Sequence, residues 1–225
     1  MSSKVKDVPG VAGSEMAQTT GVLFVVSSPS GGGKGTLIRR VLELVPDLSY
    51  SVSYTTRPAR NGEVHGREYF FVDRKTFAEM IEEGAFLEWA LVHGNLYGTS
   101  KGQIADEICS GIDIILEVDV QGAQSVRQLE LDSVSVFILP PSYETLRRRL
   151  IARGTDSAEE LELRLRNAPD ELSHYTSFDY VIVNNQVDEA AGRLAAIICA
   201  ERVRCARQEK IVANIIEKFK EHKSK

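Results

Sequence analysis

The chain has 225 residues, 43% of them apolar, with 27 lysines and arginines against 32 aspartates and glutamates, for a formal charge of −5. That length buries a sizeable core, and the acidic balance excludes the broad basic footprint of a nucleic-acid binder, so anionic ligands must be met by local basic clusters. No window approaches the roughly 18 apolar residues of a membrane span, the first residues lack a basic stretch followed by an apolar one, and three cysteines without metal-ligand spacing read as reduced, buried thiols, so a soluble cytoplasmic protein is expected.

Residues 1–19, rich in Ser, Gly, Lys and Thr, show no hydrophobic period and read as a mobile tail. Val22 to Val26 is a continuous apolar run, the mark of a buried strand, and Leu37, Ile38, Val41, Leu42 and Val45 recur at helical spacing. Between them lies Ser28-Pro29-Ser30-Gly31-Gly32-Gly33-Lys34-Gly35-Thr36. Strand, glycine-rich loop and helix form a phosphate cradle: missing Cβ atoms let an anion reach the backbone N–H groups at the positive end of the helix. Lys34 then meets the β- and γ-phosphates. The match to G-x-x-x-x-G-K-[ST] is irregular, because Ser28 stands at the first glycine and Gly35 at the hydroxyl. Thr36, one place late, is left as the hydroxyl nearest a Mg²⁺ ion.

Further strands are expected at Leu48 to Ser53, Ile112 to Asp119, Val134 to Leu139 and Tyr180 to Val183. Helical stretches separate them near Gln121 to Glu130, Ser142 to Arg153 and Asp188 to Arg207. Short, nearly continuous apolar strands alternating with helices indicate an α/β fold, a parallel sheet covered on both faces. Ligands of such sheets sit beyond the carboxyl ends of the strands, where Lys34 and Asp119 share a rim. Two stretches break the pattern. From Tyr54 to Lys101 glycines mix with aromatics, which reads as an inserted lobe of short antiparallel strands with one helix around Lys75 to Glu83. From Ala152 to Leu172, Gly154-Thr155-Asp156 opens a second insert carrying Arg153, Arg164 and Arg166. Both inserts read as moving parts above the loop. The resulting division is core 20–52, lobe 53–102, core 103–151, lid 152–172, core 173–209 and a helical extension over 210–225.

Arg57 and Arg60 place two guanidinium groups at the edge of the lobe, with the Tyr69 and Tyr97 hydroxyls close by in sequence. The planar fork of arginine suits a phosphate dianion, although the same spacing fits a solvated loop. Glu88, within Phe86-Leu87-Glu88-Trp89-Ala90, is a carboxylate in apolar surroundings and needs a donor partner. Guanine offers one, with N1–H and the N2 amino group side by side, whereas adenine would present a lone pair at N1. Asp119 or Glu117 would complete such recognition, and the hydroxyls of Ser53 and Thr99 would serve O6 or N7. A structural ion pair is the alternative role for Glu88.

From Gly21 to about Arg207 the chain closely resembles guanylate kinase, a P-loop nucleoside monophosphate kinase. The resemblance rests on the glycine-rich loop and on Ser53-Tyr54-Thr55-Thr56-Arg57, Gly62-Glu63-Val64-His65-Gly66-Arg67-Glu68-Tyr69, Phe86-Leu87-Glu88-Trp89-Ala90 and Gly94-Asn95-Leu96-Tyr97-Gly98-Thr99. It extends to Asp119-Val120-Gln121-Gly122, Arg153-Gly154-Thr155 and Val181-Ile182-Val183-Asn184. The resemblance implies phosphorylation of GMP, and of dGMP, by Mg²⁺-ATP on a core with a monophosphate-binding lobe and a lid, in a monomer or homo-oligomer. It also implies that Ser53, Glu88, Thr99 and Asp119 contact guanine, and that Arg57, Arg60, Tyr69 and Tyr97 hold the GMP phosphate. By the same resemblance, Arg149, Arg153 and Arg164 approach the transferred phosphoryl group with Lys34, and Asn184 lines the adenine side.

Ser28 departs from the family loop. Pro169 falls where the return helix of the lid is expected to continue, so that helix is expected to start or kink there. Ile211, Val212, Ile215, Ile216 and Phe219 give the C-terminal extension an amphipathic helical pattern, read as packing on the core, with a partner contact as the alternative. A guanylate-kinase-like binding module without catalysis is the rival reading of the whole chain. Such modules tend to lack the glycines and the lysine found here.

Overall fold

β1 (Leu23–Ser27) is the apolar run before the glycine-rich loop, and all five residues are buried. The structure, a computed structural model, describes residues 20–92, 94–154 and 157–223, without the Arg153 side chain, so the expected tail over 1–19 falls outside it. α1 (Lys34–Leu44) buries Leu37, Ile38 and Val41, positions that its spacing assigns to the core. β2 (Leu48–Tyr50) is shorter than expected. Ser51 still donates its N–H to the Ile115 carbonyl at 2.9 Å, but Ser53 accepts from Phe70 at 2.9 Å, so by then the chain has crossed to a second sheet.

That second sheet contains β3 (Tyr54–Thr55), β4 (Phe70–Phe71), β5 (Phe86–Val92) and β6 (Asn95–Ser100), with α2 (Arg74–Glu82) between β4 and β5. Its order is β4-β3-β6-β5, antiparallel except for the parallel pair β3 and β4. Phe77 of α2 stacks on Phe86 at 4.5 Å between ring centroids. A Cβ at Gly98 would lie 2.8 Å from Phe86 and 2.9 Å from Phe77, so only glycine lets β6 pass beneath them. Ser100 ends β6 and also caps α3 (Lys101–Cys109), accepting the Gln103 N–H at 3.3 Å. This helix is not foreseen in the sequence, where Ile104 and Ile108 alone give little period.

β7 (Asp113–Glu117), α4 (Val120–Gln128), β8 (Ser133–Leu139), α5 (Tyr143–Arg153), α6 (Ala158–Ser173), β9 (Tyr180–Val183), α7 (Val187–Arg202) and α8 (Glu209–Lys223) complete the chain. The first sheet is parallel throughout in the order β2-β7-β1-β8-β9. Alternate residues of β1 point to opposite faces: Phe24 and Val26 pack with Leu37, Ile38, Leu194 and Ile198, while Leu23 and Val25 pack with Ile104, Ala123 and Val126. Helices therefore cover both faces, as expected, and the glycine-rich loop, Asp119 and Asn184 all follow the carboxyl ends of strands.

At the opposite ends of the strands, Asp113 is buried and accepts from the Val22 N–H at 2.7 Å and from Arg202 Nε at 2.6 Å. Arg202 also donates to the Pro46 and Asp47 carbonyls at 2.9 and 3.0 Å.

Three expectations are not met as stated. α6 does not start at Pro169; it begins at a Ser157–Glu160 capping box and runs through Pro169 to Ser173. An internal proline costs about 3 kcal/mol, which is offset where Ala168, with Leu161 and Leu165, packs on the buried Leu146 and Leu150 of α5, each such leucine being worth about 1.5–3 kcal/mol. α8 is helical, but it is not packed on the core, and every residue from Val212 to Lys223 is exposed. The three cysteines are free, as expected, but exposed rather than buried. Among the described residues, no helix is long and apolar enough to cross a membrane.

Candidate active site

The glycine-rich loop needs its glycines for two reasons. Gly31 and Gly33 have φ of 83° and 88°, the left-handed region. A Cβ at Gly33 would lie 2.6 Å from Asn184 Nδ2, and one at Gly31 would lie 2.8 Å from Leu150. The carbonyl of Gly32 is held from behind by Arg149 Nη1 and Asn184 Nδ2, each at 3.2 Å, and Arg149 Nη2 donates to the Asn184 carbonyl at 2.8 Å. Asn184 is buried and its Oδ1 has no partner. Arg149 and Asn184 thus brace the loop from one side, and within it the Gly32 N–H donates to the Pro29 carbonyl at 2.9 Å.

Ser30 ties the loop to α6. Its N–H donates to Glu171 Oε2 at 2.9 Å and its hydroxyl accepts from Arg164 Nη1 at 2.8 Å. Arg164 and Glu171 are seven residues apart on α6, hence on one face. Arg153 ends α5, but its side chain lies outside the described residues.

Ser28 causes no backbone strain: among the described residues only Asp47 and Glu130 are non-glycines with positive φ. It does restrict Gly32, where a Cβ would lie 2.9 Å from Ser28 Cβ and 3.1 Å from the Pro29 carbonyl. Overpacking of this kind costs about 1–3 kcal/mol. Gly32→Ala is therefore expected to weaken ATP binding roughly 5- to 150-fold, and adding Ser28→Gly should restore most of it. Titrating ATP into both single variants and the double one gives the coupling, and additive effects would remove the link.

Lys34 opens α1 and turns toward the end of β7, where Nζ donates to the Val118 carbonyl at 2.6 Å and lies 4.0 Å from Glu117 Oε1. Gly35 faces the same carboxylate, 3.6 Å from where its Cβ would be. Thr36 is exposed one residue on. Asp119 caps α4, with Oδ1 accepting the Gly122 N–H at 2.7 Å.

Across the cleft, Arg57 makes a bidentate pair with Glu63, both N···O distances being 2.9 Å, and gives a third N–H to the Pro58 carbonyl at 2.8 Å. A guanidinium has five N–H groups, so donors remain for an incoming anion. Its carbon lies 5.4 Å from the Tyr69 ring centroid, and hydrogen bonds to Glu63 first and Tyr97 second raise its pKa. The Tyr69 and Tyr97 rings meet edge to face at 5.8 Å. Burial, then the Glu117 and Tyr97 charges, push the Tyr69 hydroxyl up to about 12, so it remains a donor at neutral pH. Tyr50, at the end of β2 in the first sheet, donates to Glu117 Oε2 at 3.1 Å on the neighbouring β7. Arg60 gives its backbone N–H to Glu63 at 2.7 Å and is exposed, and Ser53 is half-buried where the chain passes between sheets.

Glu88 sits at an irregularity in the β5–β6 ladder, where the register shifts between Phe86 and Glu88 and sets Glu88 opposite Thr99. Such a bulge re-aims a side chain. Only 8% of Glu88 is exposed, and Oε1 accepts the Thr99 hydroxyl at 2.6 Å. Burial raises its pKa, the Thr99 hydrogen bond opposes this, and the charge of Asp119 raises it further. β5, which carries Glu88, packs against α4, which Asp119 caps, and the Lys34 ammonium is bonded one residue from Asp119. Thr99, fully buried, spends its hydroxyl proton on Glu88 and orients it.

Glu63, Tyr50 and Glu171 belong to the site without having been singled out as binding or catalytic residues in the sequence. Glu117, which the sequence offers as the alternative to Asp119 for recognising the base, lies instead 4.0 Å from the Lys34 ammonium and accepts from Tyr50.

Comparison with known proteins gives the same reading. A family model described as guanylate kinase matches residues 20–201. The chain is 50% identical over 182 residues to a guanylate kinase of Syntrophomonas wolfei, covering 81% of this chain and 93% of that one. It is 50% identical over 199 residues to one of Dechloromonas aromatica, covering 88% and 98%. The crystal structure of guanylate kinase from Anaplasma phagocytophilum superposes with a TM-score of 0.71 at 39% identity, covering 85% of this chain and 92% of that one. Braced phosphate loop, buried Glu88 and family match agree: the chain belongs to the guanylate kinase family.

Proposed function

We infer that the protein transfers the γ-phosphoryl group of ATP to GMP, with dGMP as a second acceptor, yielding ADP and GDP for nucleotide recycling in the cytoplasm. The observation that carries this reading is Glu88, a carboxylate buried in the second sheet and oriented by Thr99, on the strand that packs against the helix Asp119 caps. Its lone pairs suit a base edge carrying two donors, and Thr99 fixes their direction. Arg57, Arg60, Tyr69 and Tyr97 supply donors for the 5′-phosphate on the side facing Lys34.

The acceptor phosphate is already ionised at neutral pH, so the reaction needs no general base. Lys34 leaves the Val118 carbonyl for the β- and γ-oxygens of ATP, the loop N–H groups hold the polyphosphate, and Arg149, Arg153 and Arg164 offset charge on the group in transit. Ser28 to Thr36 form the donor cradle, with Asn184 fixing it from beneath the adenine side. Closure of the lobe and α6 excludes water as a competing acceptor. Thr36 and Glu117 offer the hard oxygen ligands that suit Mg²⁺ at the mouth of the loop. When bound, that ion neutralises phosphate charge and aligns donor and acceptor oxygens.

An intact Gly31–Gly33 loop with Lys34 disfavours a non-catalytic binding module. The test is ADP release with GMP, dGMP, AMP, UMP and CMP offered separately. Turnover is expected with GMP and dGMP, and faster turnover with any other monophosphate would overturn the assignment.

A further inference from the structure

We propose that α8 is a self-association surface on which a second copy of this chain docks through its own α8, antiparallel, about a two-fold axis at Ile216. At 100° per residue, Ile211, Val212, Ile215, Ile216 and Phe219 fall within an arc of about 140°, a continuous stripe. Val212, Ile215, Ile216 and Phe219 are 46%, 50%, 47% and 70% exposed, so the core of the chain does not cover that stripe. α8 also lies beyond residue 201, where the family match ends.

The charges select the occupant. Glu209 and Lys223 each stand seven residues from Ile216, on the same edge of the stripe, about 10 Å away along the axis in opposite directions. In an antiparallel pair centred on Ile216, Glu209 meets Lys223 of the second copy, and the reciprocal pair forms on the other side. The two macrodipoles are opposed as well. The remaining edge sets Asn214 against Lys218, and no like charges face each other. An anionic membrane fits less well, because Glu217 and Glu221 interrupt the basic residues of the polar face. Two such stripes bring together on the order of 800 Å² of apolar surface, below the roughly 1,200 Å² of a typical specific interface, so a reversible dimer with Kd in the micromolar range is expected.

Sedimentation velocity of the full chain from about 1 to 200 µM tests this. The expected result is a monomer–dimer equilibrium that Phe219→Glu abolishes while GMP-dependent turnover stays unchanged. Glu209→Lys and Lys223→Glu, which place like charges opposite each other, should each weaken the dimer about tenfold. The double variant Glu209→Lys with Lys223→Glu restores the pairs and should restore the dimer. A chain that stays monomeric at all concentrations, a dimer insensitive to Phe219→Glu, or a charge swap that fails to rescue would each overturn the proposal.

Discussion

Lys34→Ala is expected to lower kcat by about 10²- to 10³-fold, the usual cost of removing one preorganised charge stabiliser, while KM for GMP changes little. Lys34 sits where the phosphate loop meets the end of β7, and its ammonium is 4.0 Å from Glu117. Its contribution arises as charge shifts during transfer, and that selectivity places the loss in kcat. The variant also leaves the Val118 carbonyl without the 2.6 Å bond it now accepts. An unsatisfied carbonyl costs about 1–3 kcal/mol where water cannot reach it, so a lower melting temperature should accompany the kinetic loss. Single-turnover measurement at saturating GMP, well below that melting point, separates the two. A variant with normal kcat and only a raised KM would remove Lys34 from the chemistry.

Glu88→Gln is expected to reduce kcat/KM for GMP roughly 5- to 150-fold, the worth of one bidentate base contact at about 1–3 kcal/mol. The amide keeps the size and the acceptor for Thr99, but turns a donor toward the donors of guanine. The same change should stabilise the ligand-free protein at neutral pH. Burial, augmented by Asp119, raises the carboxyl pKa of Glu88 in the folded state. The folded chain therefore holds that proton more tightly than the unfolded chain. The stability this gives is complete below the ordinary glutamate pKa and is lost as pH rises through the folded value. Glutamine never ionises, so its melting temperature should exceed wild type at pH 7, by roughly 2–4 °C per kcal/mol recovered, and the gap should close on acidification toward pH 4. Equal melting curves at pH 7 with unchanged GMP turnover would end both the guanine assignment and the account of Glu88 as a strained carboxylate.

Much of this site is legible in the sequence because its parts are local. A strand, three glycines, a lysine and a helix occupy adjacent positions, and a glutamate between Leu87 and Trp89 advertises its own desolvation. What escapes is what distant segments supply to one another. The Ser30–Glu171 bond spans 141 residues, and neither residue carries a pattern that points to the other. Arg57 reads as a phosphate ligand, yet part of its fork is already engaged by Glu63, only six residues away. β2 ends early because its continuation finds a better ladder in the lobe, a competition between sheets that periodicity cannot express. Pro169 reads as a helix boundary because local propensity ignores the leucines of α5 that hold α6 together. The converse holds for α8: its pattern predicts the helix correctly, but a stripe of apolar residues does not say what will cover it.

The Asp113–Arg202 pair has a consequence for biosynthesis. Asp113 becomes buried once β7 joins β1, but its guanidinium partner is not made until nearly ninety residues later. A buried carboxylate stripped of its partner destabilises by about 3–5 kcal/mol, a large share of the stability of an ordinary domain. A nascent chain that stops short of Arg202 therefore holds a half-built sheet with an uncompensated charge, and the core should lock only as the ribosome releases α7. Protease resistance of ribosome-stalled chains should rise abruptly once Arg202 has cleared the exit tunnel, and resistance already complete in shorter chains would contradict this order of events.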